Sequence, residues 1–165
     1  MKTFQRGSVT VSGDVTVSAD EFWKLLRDWP AAMKWIPRDS ASPPIDVTLK
    51  PGDDVNRLPC SRVMHFDVSS GFPASWEETL LFADPQARRI YYTFSGIPDG
   101  MRNYIATTIV DDTGRGTAHI TCSSSFDLPN TGASMEETNK FLRDVYEHVI
   151  IRGIEAAIKR EKSSV

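Results

Sequence analysis

A carboxylate on an otherwise apolar strand face is the first feature of the sequence that could do chemistry. In the segment WEETLLF, Glu78 shares one face with three large apolar residues, because side chains alternate along a strand. These are Trp76, Leu80 and Phe82. A shift of one residue would turn Glu77 inward and expose all three, so we predict that Glu78 points inward. A buried carboxylate needs a partner, and the candidates are Arg62, Lys34 or a tyrosine hydroxyl.

Acid–base chemistry is the reaction class that such a group could support. If the protein is an enzyme, Glu78 would act as general base and Tyr104 as general acid. The serines at 123–125 have no matching His and Asp arrangement, so we do not expect a hydrolase triad. The three histidines lack the spacing of zinc ligands, and no glycine-rich phosphate loop or dinucleotide motif is present. We therefore expect no metal and no cofactor.

The elements that must position these groups begin with a strand and two short helices. Ser8 to Val17 alternates and is rich in β-branched residues, which predicts a strand with a kink at Gly13. Ser18 and Glu21 form a capping box for the helix that follows. Pro30 either ends that helix or starts a second short one.

From Ile45 to Leu128 the hydrophobic period is two, which predicts six further strands. The inward sets are Ile45, Val47 and Leu49; Met64, Phe66 and Val68; Trp76, Glu78, Leu80 and Phe82; Ile90, Tyr92 and Phe94; and Ile120, Cys122, Ser124 and Phe126. The segment NYIATTIV, the sixth strand of the chain, has two possible inward sets. These are Tyr104, Ala106, Thr108 and Val110, or Ile105, Thr107 and Ile109. The turn signals between strands are Pro51-Gly52-Asp53, Asp84-Pro85, Pro98-Asp99-Gly100 and Asp112-Thr113-Gly114. Such short connections indicate an antiparallel meander.

A long amphipathic helix is predicted from Ser134 to about Lys162. Ser134 and Glu137 form a second capping box, and a broad apolar face follows. At 1.5 Å per residue the helix would be roughly 40 Å long, enough to cross a whole sheet. Gly153 interrupts it, and we expect a close approach between helix and sheet at that position.

The order of elements predicts an α+β fold: a curved antiparallel sheet of about seven strands wrapped around the long C-terminal helix, with two short helices after the first strand. We treat residues 1–165 as one domain. Polar side chains fall on faces that should point inward, which favours an enclosed cavity over a solid core. These are Glu78, Tyr104, Thr108 and Ser124.

Composition excludes several function classes. The net charge is −3 with no basic run, which disfavours nucleic-acid binding. No segment approaches the roughly 20 apolar residues that cross a bilayer, and the N-terminus has no signal-peptide core, so we expect no stable membrane insertion. Cys60 and Cys122 lack metal-binding spacing and are interpreted as reduced thiols in a cytoplasmic protein.

The order of elements resembles the helix-grip fold of the START-like (SRPBCC) superfamily, which includes the birch-pollen-allergen family, polyketide cyclases and lipid-transfer domains. Two stretches carry a closer resemblance to the plant abscisic-acid receptors, and a third lies where that family leads it to be expected. SGFPA at Ser70–Ala74 resembles their gate loop, and we use that name for it. MRNY at Met101–Tyr104 resembles the strand after their latch loop, and FDLP at Phe126–Pro129 leads into the long helix where that family has it.

The resemblance implies a set of ligand-binding residues. Phe72 and Pro73 match gate residues that close over a ligand, Glu78 matches a polar pocket residue, and Tyr92 and Tyr104 match pocket aromatics. The full candidate set is Trp35, Arg62, Phe66, Phe72, Pro73, Glu78, Tyr92, Tyr104, Thr108, Cys122, Phe141, Val145 and Val149.

The hormone-specific polar set is mostly missing. The latch His-Arg is replaced by Asp99-Gly100, and the lysine that pairs with the hormone falls near Met33 or Lys34, with Met33 the better match. Cys122 replaces a glutamate and Val149 an asparagine. We infer a related small-molecule cavity rather than a hormone receptor.

Three functions are compatible with these features. The favoured one is a carrier or sensor that encloses a small hydrophobic or aromatic molecule such as a lipid or polyketide, with a neutral or hydroxyl-bearing ligand preferred over an acid. The alternative is a polyketide cyclase or dehydratase that uses Glu78 and Tyr104. The third is an interaction module whose gate docks a partner protein through Phe72 and Pro73, but the latch residues that would complete that surface are missing.

Overall fold

The computed structural model describes residues 2–40, 43–95 and 100–165. Its strands are β1 (Phe4–Val15), β2 (Asp46–Leu49), β3 (Cys60–His65), β4 (Ser75–Asp84), β5 (Arg89–Ser95), β6 (Arg102–Gly114) and β7 (Thr117–Pro129). They form one antiparallel sheet in the order β1-β7-β6-β5-β4-β3-β2. The seven strands and their antiparallel pairing confirm the predicted meander.

The helices are also placed as predicted. Helix α1 (Ala19–Arg27) begins with the Ser18–Glu21 capping box, and a 3₁₀ helix, Trp29–Lys34, follows with Pro30 in its first turn. Proline suits that position because its missing N–H would have no intrahelical partner there. The chain then enters the sheet at β2, so two short helices do follow the first strand.

The C-terminal helix is continuous but not uniformly α-helical. Helix α2 (Met135–Asp144) starts at the predicted Ser134–Glu137 capping box, a π-helical segment spans Val145–Ile151, and helix α3 (Arg152–Ser163) completes it. A π segment widens the helix and rotates its faces, and such segments often occur at functional sites. No pattern in the sequence predicts this segment.

The inner faces of sheet and helix are buried against each other in one core. On β6 the first of the two alternatives is correct: the set beginning at Tyr104 points inward, and Ile105 is 46% exposed. On β7 the four predicted residues from Ile120 to Phe126 are all buried. Alternation therefore identified the inward face of both long strands.

Three residues predicted to face inward are exposed instead: Ile45 at 65%, Val68 at 83% and Phe82 at 50%. Ile45 lies before β2 begins, and Val68 starts a 3₁₀ helix, Val68–Ser70, so strand alternation does not apply to either. Phe82 follows a register shift after Leu80, where β4 bulges against β5. A bulge inserts one residue and turns the following side chains to the other face.

Two of the predictions concern glycines. β1 runs from Phe4 to Val15 and pairs with β7 through Gly13 without a register shift; the kink at Gly13 stays a prediction. Gly153 does allow a close approach, but not to the sheet. A Cβ at Gly153 would lie 2.5 Å from the carbonyl oxygen of Trp35, in the connection that follows the 3₁₀ helix.

One predicted turn has moved along the chain. The β6–β7 turn is formed by Arg115 and Gly116, both with positive φ, because β6 continues through the predicted Asp112-Thr113-Gly114 turn. The predicted Pro98-Asp99-Gly100 turn, with the latch position Asp99, falls outside the described residues except for Gly100. Cys60 and Cys122 are both buried free thiols.

Within the three described ranges, no helix has the length and apolar character needed to cross a membrane. The same ranges contain no group of His, Cys, Asp or Glu side chains arranged to hold a metal ion.

Candidate functional site

The main cavity lies between the inner face of β3–β5 and the C-terminal helix and has a volume of about 650 Å³. Its strand residues are Arg62, Met64, Trp76, Glu78, Tyr92 and Phe94, with Phe66 and Phe72 beyond the strand ends. Its helix residues are Phe141, Leu142, Asp144, Val145, His148, Val149 and Ile150. The connection after the 3₁₀ helix adds Trp35, Ile36, Pro37, Asp39, Ser40 and Pro44.

A buried ion pair provides the charged groups deep in this cavity. Arg62 on β3 and Glu78 on β4 are directly opposite in the sheet and are each 5% exposed. The Arg62 Nε and Nη2 atoms donate to Oε2 of Glu78 over 2.7 and 2.5 Å. This charge-assisted pairing removes the cost of burying either charge alone.

Arg62 is held on its other side by Trp29. Its Nη1 donates to the Trp29 carbonyl oxygen over 3.0 Å, and the guanidinium lies 3.7 Å from the centroid of the Trp29 ring. The Trp29 Nε1 donates in turn to the backbone carbonyl of Glu78 over 3.4 Å. These contacts hold the Arg62 guanidinium in place. Glu78 is then the member of the pair that can accept a hydrogen bond from a ligand.

One oxygen of Glu78 is available to a bound molecule. Both Arg62 contacts go to Oε2, and among the described residues no group donates to Oε1. Glu78 is 5% exposed and belongs to the cavity lining, so this oxygen is an acceptor on a buried side chain in an otherwise largely apolar space. An acceptor of this kind favours a ligand that carries an O–H or N–H donor.

An aromatic cluster closes one end of the main cavity and includes the gate loop. The Phe72 ring lies 5.3 Å from Phe66 and 5.5 Å from Trp76, and Trp76 lies 4.6 Å from Phe66. The turn is set up by Asp67, whose carboxylate accepts from Ser69, and by Gly71 with φ of 80°. The gate residue Phe72 is therefore folded down onto the cavity wall rather than left in solvent.

Two indole N–H groups in this wall lack partners. The Nε1 atoms of Trp35 and Trp76 are buried and find no acceptor among the described residues. A buried donor left unsatisfied costs roughly 1–3 kcal/mol, so a rearrangement that brings an acceptor to either indole would be favourable. Both side chains belong to the cavity lining.

A second, side cavity of about 570 Å³ lies beyond the aromatic cluster. It shares five lining residues with the main cavity: Phe72, Trp76, Phe94, Phe141 and Leu142. Its remaining lining residues are Gly71, Met101, Leu128, Gly132, Ala133, Glu137 and Thr138. The two cavities are thus neighbours separated by shared side chains.

Comparison with known protein families identifies one that matches nearly the whole chain. The family described as "Polyketide cyclase / dehydrase and lipid transport" matches residues 6–159. The chain belongs to this family. No curated protein sequence matches it.

Solved structures of this type share the helix-grip arrangement. A point mutant of norcoclaurine synthase from Thalictrum flavum, in complex with a transition-state analogue, is 15% identical with a TM-score of 0.73, covering 97% of this chain and 98% of that one. The protein XoxI from Bacillus cereus is 20% identical with a TM-score of 0.73, covering 94% and 98%. A Thermobifida fusca protein is 23% identical with a TM-score of 0.67, covering 94% and 93%. Identities this low show the fold alone.

For this polyketide cyclase family member, nine of the predicted ligand-binding residues lie in the main-cavity lining. These are Trp35, Arg62, Phe66, Phe72, Glu78, Tyr92, Phe141, Val145 and Val149. The other four, Pro73, Tyr104, Thr108 and Cys122, are not part of the lining of either cavity. Arg62 was one of three candidate partners for Glu78 and is the one that pairs with it, whereas Lys34 pairs with Asp28 at the surface.

Tyr104 lies in the core behind the lining. Its hydroxyl pairs with that of Tyr146 over 2.5 Å, and its ring stacks 4.3 Å from that of Phe94, which does line the cavity. Burial raises the pKa of Tyr104 well above its ordinary value and raises that of Tyr146 to about 12. Both hydroxyls therefore stay protonated at neutral pH and are hydrogen-bonded to each other.

Thr108 and Cys122 are also core residues. They face each other across β6 and β7 with 3.8 Å between Oγ1 and Sγ, and neither is solvent-accessible. Burial raises the pKa of the Cys122 thiol to about 12, so it is a packing residue and not a nucleophile.

Tyr92 is the tyrosine that reaches the cavity. It belongs to the lining, and its ring lies 5.6 Å from that of Trp29. Burial raises the pKa of Tyr92 well above its ordinary value, with the neighbouring Tyr146, Cys122 and Glu78 adding to the effect. Its hydroxyl is thus a donor rather than a phenolate at neutral pH.

Several lining residues were missed by sequence reasoning. Met64, Trp76 and Phe94 had been assigned to inward strand faces, so the alternation signal for them was present. The lining residues Ile36, Pro37, Asp39, Ser40 and Pro44 lie outside strands and helices, where no period indicates which side chain points inward. His148 lies in the π segment, which changes the helical period, and Asp144 directly precedes that segment.

Proposed function

We propose that this protein binds a small hydrophobic or aromatic molecule with a hydrogen-bond donor in the main cavity, as a carrier or sensor. The observation that carries the proposal is Oε1 of Glu78, to which no described residue donates, on a 5%-exposed side chain that lines an aromatic cavity of about 650 Å³. Sites of this kind usually combine an apolar lining with a few placed polar groups. A cytoplasmic location belongs to the same proposal.

The lining chemistry argues for a neutral or donor-bearing ligand over an acid. The charge of Arg62 is balanced by Glu78, and its guanidinium also donates to the Trp29 carbonyl, so a ligand carboxylate would meet an ion pair that carries no net charge. Buried apolar area at roughly 25 cal/mol per Å² would supply most of the affinity. A donor on Oε1 would then set the orientation, because hydrogen bonds to charged groups contribute about 1.5–3 kcal/mol.

Native mass spectrometry of freshly purified protein is the direct test of a bound molecule. A defined extra mass that disappears on denaturation would identify a retained ligand and would support a carrier. The absence of any retained mass, together with no thermal shift across lipids, flavonoids and alkylphenols, would contradict it.

The role of Glu78 can be tested with matched ligands and matched variants. We expect para-ethylphenol to bind at least tenfold more tightly than its methyl ether, which keeps the shape but lacks the donor. Glu78→Gln should narrow this preference, because the acceptor loses its charge. Glu77→Gln is the control: the same change on the same strand, but at an outward residue paired with Lys50. Equal preference in wild type and Glu78→Gln would refute the assignment.

An enzyme of the cyclase or dehydratase type is the second candidate, and one observation favours it: Glu78 and Tyr92 both line the main cavity. Glu78 would be the base, and Tyr92 takes the acid role first assigned to Tyr104, whose hydroxyl is occupied by Tyr146. Incubation with a linear poly-β-ketone should then give a cyclic product, detected as a change in chromatographic retention, and its mass should fall by one water where dehydration follows ring closure. Tyr92→Phe should abolish this turnover while Tyr104→Phe preserves it; no change in retention and no loss of water with every poly-β-ketone tested would leave the carrier role.

A further inference from the structure

The wall between the two cavities consists of side chains rather than backbone. Phe72 from the gate loop meets Phe141 from α2 at 6.2 Å between ring centroids, with the rings tilted by 39°. Phe141 is 43% exposed, and Phe72 follows Gly71, a residue in the left-handed region. A partition made of two rings on separate elements can open by side-chain rotation without disrupting the sheet.

Opposite this partition, a continuous aromatic floor runs from one cavity to the other. Trp76 on β4 and Phe94 on β5 are stacked 5.9 Å apart with their planes within 16°. Both side chains belong to the lining of both cavities. A flat apolar molecule or chain could therefore lie along this floor once the Phe72 ring, which packs 5.5 Å from that of Trp76, rotates away.

The two ends of this path differ in chemistry. Only the main cavity contains Glu78, Tyr92 and Trp35, whose indole N–H finds no acceptor among the described residues. The side cavity has Met101, Leu128 and Ala133 in its wall. Its carboxylate, Glu137, is exposed to solvent at the start of α2, where its Oε2 accepts from the backbone N and Oγ of Ser134 over 2.8 Å each, so it is not a buried acceptor like Glu78.

We propose that the two cavities form one bipartite site for an elongated amphiphile. Its donor-bearing head lies against Glu78 in the main cavity, and its aliphatic chain passes the Phe72–Phe141 contact into the side cavity. This inference rests on the proposed binding function and adds the shape and polarity of the ligand. Ligands with a chain long enough to reach the side cavity bind more tightly than short ones with the same head.

Two methionines make the proposal testable in solution. Met64 lines only the main cavity and Met101 only the side cavity, so their isotope-labelled methyl groups report on each space separately by NMR. The probes are para-ethylphenol and para-heptylphenol, which share a head and differ in chain length. We expect para-ethylphenol to shift the Met64 signal alone. We expect para-heptylphenol to shift both signals and to bind more than tenfold more tightly, because each buried methylene adds to the affinity.

A pair of filling variants separates the two cavities. Ala133→Phe adds volume to the side cavity only, so it should remove the Met101 response and the chain-length gain while para-ethylphenol binds as before. Val149→Phe is the matched control in the main cavity and should weaken both ligands. The wild-type comparison decides the question even if a filled variant folds poorly.

The outcomes distinguish this inference from the function on which it rests. If both ligands shift Met64 but para-heptylphenol leaves Met101 unchanged and gains no affinity, the bipartite site is refuted and the main-cavity function stands. If neither ligand shifts either methyl, the proposed binding function is contradicted as well.

Discussion

Arg62 and Glu78 occupy directly opposed positions on β3 and β4, and their side chains form a buried ion pair with 2.7 Å between Arg62 Nε and Glu78 Oε2. A buried pair of this kind does not by itself stabilise a fold, since both charges must be desolvated. Its consequence is that the Glu78 carboxylate is held in one orientation. The second Glu78 oxygen is then the acceptor on which the functional proposal depends.

Breaking this pair should be strongly destabilising. Arg62→Met leaves the Glu78 carboxylate buried without its cation, which should lower the free energy of unfolding by about 3–5 kcal/mol. The double variant Arg62→Met/Glu78→Met should recover most of this loss, because two apolar residues need no partner. Chemical denaturation measures both.

The neighbouring Lys50–Glu77 pair is the control for that experiment. It joins β4 to the chain just beyond β2, but the Lys50 side chain is 50% exposed. Lys50→Met should therefore cost no more than about 1 kcal/mol. If Arg62→Met lowers the free energy of unfolding by no more than Lys50→Met does, then Glu78 does not depend on Arg62 in the way that their buried contact indicates.

Strand alternation made Arg62 one of three candidate partners for Glu78, because alternation identifies which face of a strand points inward. It placed Glu78 and Arg62 on one side, and the three large apolar neighbours of Glu78 decided the register. The two serine capping boxes were equally readable, because each depends on residues three apart. Local patterns of this kind can be recognised from the sequence alone.

Alternation cannot tell a cavity wall from a packed core. Tyr104, Thr108 and Cys122 point inward on β6 and β7, yet these two strands contribute nothing to the main-cavity lining in the described residues. The lining strands are β3, β4 and β5. Which part of the inner face the helix covers depends on tertiary packing, as do the bulge after Leu80 and the π segment.

The gate residue should control how fast a ligand leaves. Phe72→Ala removes the ring that contacts Phe66, Trp76 and Phe141, so we expect dissociation of para-ethylphenol to accelerate about tenfold. The half-buried position predicts a stability loss of about 1–2 kcal/mol, below the 3–5 kcal/mol of a core Phe→Ala change. Stopped-flow fluorescence measures the rate.

Phe82→Ala is the matched control for the gate, since Phe82 is 50% exposed and absent from both cavity linings. Dissociation from this variant should equal that from wild type. Equal rates for Phe72→Ala and wild type would mean that the gate loop does not limit release.

Gly153 should not tolerate a side chain despite lying in a helix. Alanine would normally favour the helix by about 1 kcal/mol. Here its Cβ would fall 2.5 Å from the Trp35 carbonyl oxygen and 3.2 Å from Cδ of Pro37, so the connection carrying Trp35 must shift. We expect Gly153→Ala to lose about 1–3 kcal/mol in thermal or chemical unfolding, together with affinity for main-cavity ligands.

The exposed Ala156 on the same helix provides the reference for that change. Ala156→Gly should cost about 1 kcal/mol from helix propensity alone and leave ligand binding unchanged. If Gly153→Ala instead stabilises the protein, the close approach between the helix and the Trp35 connection is wrong.

Protonation of Glu155 should lower the free energy of unfolding at acid pH. Burial alone would raise its pKa, but hydrogen bonds from the Thr16 backbone, Lys159, Arg152 and the Thr16 hydroxyl outweigh that effect and lower the pKa from 4.5 to about 2. Because the folded pKa is lowered, the stabilisation is fully present above pH 4.5 and is lost as pH falls from 4.5 toward 2. It amounts to about 3 kcal/mol.

Denaturant unfolding at neutral pH and near pH 3 tests this prediction. Glu155→Gln should lower stability at neutral pH and lose less on acidification than wild type, because the amide cannot be protonated in this range. Glu161→Gln, an exposed change on the same helix, should leave the acid dependence as in wild type. If Glu155→Gln loses as much stability on acidification as wild type does, then protonation of Glu155 does not drive the acid loss, and its contacts with Thr16 do not fasten α3 to the start of α1.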